Sequence, residues 1–293
     1  MENNPLLTVV TPTYNRAYIL DKCYLSLLRQ TNQSFIWLVV DDGSTDNTEK
    51  IVRDWIADGR ISIQYIKKQN GGKASALNRA LDVITTKYAV CLDSDDSFYP
   101  ETVDMALQAL KAADQDERCC GVLALRNNSD GTVMGGREIP RRYQRVTAAD
   151  VLLRLNLKTE LICFYKTEDL KGRRFPEFEN EKFVSPSWMQ LEITRKKYFL
   201  TSWEKLCCCE YIADGLTVNK RKVILNNPKG YICVKKIQFE LAPNLKQLVK
   251  NGIMYDCGCI IGHDSDWLKN APHKIMAFLL YPMGKLAYWI RFQ

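Results

Sequence analysis

Three apolar, strand-like runs in the first hundred residues each end at a polar cluster. Leu6 to Thr11 ends at Thr11-Pro12-Thr13-Tyr14-Asn15, Ile36 to Val40 at Asp41-Asp42-Gly43-Ser44, and Tyr88 to Leu92 at Asp93-Ser94-Asp95-Asp96. Between them lie helical patterns through Tyr18, Leu20, Cys23, Leu27 and Leu28, over Glu49 to Ile56 and over Ala74 to Val83, with a further strand at Ile61 to Ile66. Strands alternating with helices at this spacing form right-handed crossovers, which predicts an α/β fold: a Rossmann-like, mostly parallel sheet with helices on both faces. The carboxyl ends of such strands point one way, so the three clusters share a rim. Core packing gives no reason to place carboxylates there repeatedly, whereas open α/β sheets hold their ligands at that edge.

The last cluster is the most specific. Asp93 and Asp95 stand at i and i+2 and would diverge on an ideal strand, so a tight turn after Leu92 is needed to bring them to one ligand. Hard oxygen donors in that arrangement suit Mg²⁺ or Mn²⁺ bridging a diphosphate. The plainer alternative is an acidic turn with an Asp as N-cap of a helix over Glu101 to Ala113. Lys73 follows Gly71-Gly72, which either lets backbone approach a ligand closely or forms a turn beside an exposed lysine. Tyr14 offers a flat apolar face for a base, or is a half-buried surface tyrosine. Asp-Gly-Ser turns are common, so of Asp41 and Asp42 one is expected to serve structure and the other a ligand.

Beyond Pro100 the alternation weakens: strands are expected at Gly121 to Arg126 and Leu161 to Lys166, with two more near Tyr198 to Ser202 and Leu206 to Tyr211. Helices are expected over Ala148 to Leu155 and Trp188 to Thr194, and from Pro228 onward with breaks at Pro243, Gly252 and Pro272. At 293 residues the chain exceeds one ordinary core, so a main domain over 1–218 and a helical C-terminal appendage over 219–293 are expected. A net charge of +7 attracts nucleotides, lipid head groups or pyrophosphate carriers without reaching a nucleic-acid-binding signature. The acidic, polar start Met1-Glu2-Asn3-Asn4-Pro5 is unlike a secretory signal, which places the protein in the cytosol. The 11 Cys lack regular loop spacing, so reduced thiols are expected; Cys257, Cys259 and His263 are a weak zinc candidate. Ile275 to Tyr281 and Leu286 to Ile290 are too interrupted to span a bilayer. They suit either a bilayer interface or a helix docked on its own domain or on a dimer partner.

Taken in order, Thr11-Pro12-Thr13-Tyr14-Asn15-Arg16, Val39-Val40-Asp41-Asp42-Gly43-Ser44-Thr45-Asp46, Asn70-Gly71-Gly72-Lys73 and Leu92-Asp93-Ser94-Asp95-Asp96 resemble the family 2 glycosyltransferases of the GT-A fold. Phe178-Glu179-Asn180-Glu181-Lys182-Phe183 and Tyr211 to Leu216 resemble, more loosely, a bacterial subgroup linked to cell-surface polysaccharide. The resemblance implies inverting transfer of a sugar from a nucleotide diphosphate, UDP favoured over GDP, to an acceptor hydroxyl with a divalent cation, Mn²⁺ or Mg²⁺. It places Thr11, Pro12 and Tyr14 at the nucleotide base, Asp41 on a uracil N–H, Lys73 near ribose or diphosphate and Asp93 at ribose or the metal shell, with Asn15 and Ser94 also in the nucleotide site. Asp95 would bind metal and diphosphate, with Asp96 sharing the metal.

An inverting transfer needs a base opposite the leaving group. The family takes it from an acidic pair, for which Glu181 is the positional match although Lys182 follows it where an acid is usual; Glu177 and Glu179 are its neighbours. A saccharide acceptor, lipid-diphosphate-linked, and a peripheral place on the inner membrane face follow from the same resemblance and from the basic, aromatic C-terminus; a homodimer is compatible with it. A nucleotidyltransferase would carry a glycine-rich basic loop after the first strand, which Thr11 to Asn15 is not. A dinucleotide-dependent oxidoreductase would carry G-x-G-x-x-G there. A catalytically silent nucleotide-sugar-binding protein stays open.

Overall fold

The computed structural model describes residues 4–209 and 219–292. The chain forms two compact units, the first from residues up to Val146 together with Leu157–Arg174 and the stretch from Lys196, the second from Thr147–Asn156, Phe175–Arg195 and the C-terminal region. The expected boundary at 218, and the Tyr211 to Leu216 motif, lie outside the described residues.

In the first unit the chain runs β1 (Leu7–Thr13), α1 (Leu20–Leu28), β2 (Phe35–Asp41), α2 (Thr48–Asp58), β3 (Ile63–Lys67), α3 (Lys73–Leu81), β4 (Tyr88–Cys91), β5 (Ser97–Phe98) and α4 (Thr102–Ala113). It continues through β6 (Cys119–Asn127), β7 (Arg145–Val146), β8 (Leu161–Lys166), α5 (Thr167–Leu170) and β9 (Tyr198–Cys208). Among the described residues these strands make one sheet in the order β3-β2-β1-β4-β8-β6-β9-β5, with β7 on β9. β1, β2, β3 and β4 are mutually parallel; the apolar runs of β1, β2 and β4 are buried on both faces, and β3, at the sheet edge, is half-buried. The order turns back at β1, with β2 on one side and β4 on the other, which is where an open sheet of this kind forms its ligand crevice.

β8 is antiparallel to both β4 and β6, so β6 points the same way as β4 and ends at the same rim. The two strands expected near Tyr198 and Leu206 are one, because β9 stays paired with β6 through register shifts. Tyr24 of α1 stacks on Trp55 of α2 at 4.3 Å and lies beside Trp37 of β2, fixing those helices on one face.

The second unit contains a π-helical turn, Asp150–Arg154, where an α-helix is expected. Leu155 N reaches Asp150 O, five residues back. It also holds α6 (Ser187–Ile193), α7 (Lys220–Asn226), α8 (Pro228–Glu240), α9 (Leu245–Ile261), α10 (Trp267–Asn270) and α11 (Lys274–Phe292). α9 runs unbroken through Gly252, expected as a break. A Cβ there would lie 2.6 Å from Leu280 and 3.0 Å from Phe239, so the glycine serves close helix packing, not chain reversal. α11 likewise passes through Pro282 as one helix. Phe239, Tyr255, Cys259, Ala271 and Ala277 form one core of this unit, and Ala148, Leu191 and Ile237 another. Among the described residues no helix is long and apolar enough to cross a membrane.

Candidate functional site

The strand ends are tied into one rim by their own polar side chains. Asn15, in the left-handed region at φ 52°, accepts from Thr45 N (2.8 Å) and donates its own backbone N–H to Ser44 Oγ (2.8 Å), joining the loop after β1 to the loop after β2. Asparagine tolerates that conformation better than most residues. Asp42 accepts from Gly71 N, Gly72 N and Lys68 Nζ at 2.6–2.9 Å, which carries the rim to the start of α3. The two glycines thus approach a carboxylate of the protein itself. From α3, Lys73 Nζ reaches Asp93 Oδ1 at 2.5 Å, closing the link to the end of β4.

After β4 the chain turns sharply, with Asp96 N donating to Asp93 O (3.0 Å). None of the three acids caps α4, whose N-terminus has no side-chain cap, so the plain capping alternative has no counterpart here. Arg126, at the end of β6, donates to Asp96 Oδ2 (2.6 Å) and lies 3.8 Å from Asp93 Oδ2. The three carboxylates therefore differ. Asp93 has Lys73 and Arg126; Asp96 has Arg126; no hydrogen bond or ion pair from another described residue reaches the carboxylate of Asp95.

Their proton affinities separate accordingly. Burial pushes Asp93 up, but the charges of Lys73 and Arg126 outweigh it and hold the carboxyl below its usual range. Burial, then the neighbouring charge of Asp93, raises Asp95. Asp96 is pushed to about 6 by burial, against the pull of Arg126. A cation placed on Asp95 would offset a charge that no hydrogen bond or ion pair from another described residue offsets, and its oxygens are the hard donors Mn²⁺ or Mg²⁺ takes.

The other expected site residues lie as follows. Asp41 is fully buried, with Oδ1 on Ser44 N (2.7 Å) and Oδ2 on the Tyr65 hydroxyl (2.5 Å). Each of its oxygens thus accepts one hydrogen bond inside the fold. Thr11 is buried too, its hydroxyl accepting from Trp37 Nε1 (2.9 Å). Pro12 is half-buried, Ser94 is buried, and Tyr14 is 48% exposed. Glu181 belongs to the second unit, where its two oxygens accept from Lys229 N (2.9 Å) and Gly230 N (2.8 Å) at the start of α8.

Arg126 was not singled out from sequence, although it ends an apolar run as the rim acids do. Only the insertion of β8 between β4 and β6 shows that its strand ends at that rim. Asp96 also gathers with Cys207 and Cys209, but the Arg126 guanidinium already contacts both Asp96 and Cys209. Cys257, Cys259 and His263 form no such cluster among the described residues. The cysteines are free thiols.

The sequence model described as glycosyl transferase family 2 matches residues 8–169. A putative teichuronic acid biosynthesis glycosyltransferase, TuaG of Bacillus subtilis, is 36% identical over 118 residues, 40% of this chain and 44% of that protein. The chain thus spans less than half of this curated relative. In shape it is similar to Staphylococcus aureus TarS 1–349 in complex with UDP-GlcNAc, with TM-score 0.59 and 17% identity over 97% of this chain and 91% of that one. The mannosyltransferase PcManGT of Pyrobaculum calidifontis, in complex with GDP-Man and Mn²⁺, aligns with TM-score 0.61 and 21% identity, over 97% and 81%. These likenesses establish a GT-A fold.

Proposed function

The chain belongs to glycosyl transferase family 2, and from that premise we propose that it moves a sugar, with inversion, from a nucleoside diphosphate to an acceptor hydroxyl. The observation that carries this reading is the Asp95 carboxylate, which no hydrogen bond or ion pair from another described residue reaches, beside Asp93 and Asp96, which each pair with a cation. Asp95 would hold Mn²⁺ or Mg²⁺, with Asp93 and Asp96 beside it. Bound there, the cation supplies Lewis-acid stabilisation to the departing diphosphate. Lys73 and Arg126 keep Asp93 and Asp96 oriented, and Lys73 brings positive charge to the place where phosphate oxygens would lie. The half-exposed ring of Tyr14 offers a stacking face to the base, while Asp41 and Thr11 hold the loops behind it. Glu181 is assigned as the base on the resemblance of the Phe178 to Phe183 stretch.

The donor is proposed to be a UDP-sugar, supported by the UDP-GlcNAc complex of TarS; the GDP-Man complex of PcManGT makes GDP the comparison. The acceptor is proposed to be a lipid-linked saccharide of a cell-surface polymer, supported by the name of TuaG.

Thermal shift with UDP and GDP, each with Mn²⁺ or with a chelator, tests the reading. A ligand that binds only the native state at about 100 times its Kd adds about 2.7 kcal/mol, several degrees in Tm. UDP with Mn²⁺ is expected to give that shift in the wild type, and Asp95→Asn to lose the Mn²⁺-dependent part. No shift with either nucleotide, or an undiminished Mn²⁺ effect in Asp95→Asn, overturns it. Release of free sugar from a UDP-sugar separates an enzyme from a silent binder.

A further inference from the structure

We infer that α11 is a docking face for an anionic lipid bilayer. The helix has two sides. Ala277, Leu280 and Gly284 are buried, and Gly284 lies so close to α9 that a Cβ on it would stand 2.7 Å from Asp256 Cβ. Ile275, Phe278, Leu279, Met283, Leu286, Trp289 and Ile290 are 49–78% exposed. At about 100° per residue these seven fall within an arc of about 140°, centred opposite the buried three. Exposed apolar side chains scattered singly are ordinary, but a continuous stripe along one helix marks a surface that meets something apolar.

Charge selects the occupant. Residues 219–293 carry 12 Lys and Arg against four Asp and Glu, a surplus of eight in a chain whose net charge is +7. The remainder of the chain is therefore close to neutral, and the whole cationic excess travels with this region. α11 contains no acidic residue, and Lys274 and Lys285, both exposed, border the stripe beside Phe278 and Trp289. A second copy would set this excess against itself. A bilayer of anionic lipids offers the opposite charge above an apolar layer, and an amphipathic helix with basic flanks and aromatic residues lies in that interface.

The inference does not depend on the sugar-transfer reading and is tested without turnover. The full chain is sedimented with vesicles of phosphatidylcholine containing about a quarter phosphatidylglycerol, and with phosphatidylcholine alone. Deleting α11 would uncover the core beneath Ala277 and Leu280, so the informative variant is Phe278→Ser, Leu279→Ser and Trp289→Ser combined, all exposed positions. The wild type is expected to pellet with the anionic vesicles, less so at high salt. The triple variant, with unchanged Tm, is expected to lose about tenfold or more in partition. Equal pelleting of the two proteins, no wild-type pelleting, or a concentration-dependent dimer abolished by the variant while no vesicle binding is seen would each overturn the inference.

Discussion

A single carboxylate can be surrounded by its neighbours' cations or left bare, and on this rim that difference separates Asp95 from Asp93 and Asp96. The second unit holds a starker case. Asp256 of α9 is fully buried, neither of its oxygens has a hydrogen-bond partner among the described residues, and burial pushes its carboxyl to about 7. An unfolded aspartate titrates near 3.9, so between about pH 4 and 7 the native state holds a proton that the unfolded chain has released. Its contribution is complete below about pH 4 and is lost as pH rises through 7. Asp256→Asn, which never ionises, is therefore expected to stabilise the protein at pH 8 by about 4 kcal/mol relative to wild type, and by much less at pH 4.5. Urea denaturation of both proteins at the two pH values checks this; an equal difference at both contradicts it.

At the scale of elements, α8 begins with a reciprocal clasp. Glu181 accepts from Lys229 N and Gly230 N, and Asn227 Oδ1 accepts from Lys182 N (2.7 Å) and Phe183 N (2.9 Å). The clasp satisfies orphan donors of a helix that starts with Pro228 and places a negative charge at its N-terminus. It also fixes where the carboxylate points. Glu181→Gln keeps one accepting oxygen and loses the other, at a cost of about 1 kcal/mol. If Glu181 is the base, turnover is expected to fall by about 100-fold or more while UDP affinity holds and Tm drops only a few degrees. Activity within a few-fold of wild type would leave it as a clasp alone. Gly252 and Gly284 act at the same scale, each setting how closely α9 can be approached, and Gly252→Val is expected to lower stability by about 1–3 kcal/mol by driving a side chain into Leu280 and Phe239. Chemical denaturation measures it.

Across the whole molecule, the helical C-terminal region does not form its unit alone. It incorporates Thr147–Asn156 and Phe175–Arg195, through Leu191 against Ile237 and a two-bond ion pair from Arg195 to Glu240 at 2.8 and 2.9 Å. A chain cut after residue 218 leaves that apolar surface bare and is expected to aggregate or elute as large species on size exclusion. A monodisperse monomer would contradict this. Alternating strands and helices with polar strand ends were legible in the sequence because each is local: hydrophobic period and turn chemistry are written over a few residues. That is how the α/β class, the acidic rim and the places of Lys73, Asp93, Asp95 and Asp96 followed from Tyr88 to Pro100 and its counterparts. Arg126 on Asp96, Tyr65 on Asp41, and Asp42 rather than a ligand on Gly71 and Gly72 did not follow. Each joins residues 24 to 30 positions apart, and strand order and loop packing alone decide which partner neutralises which charge.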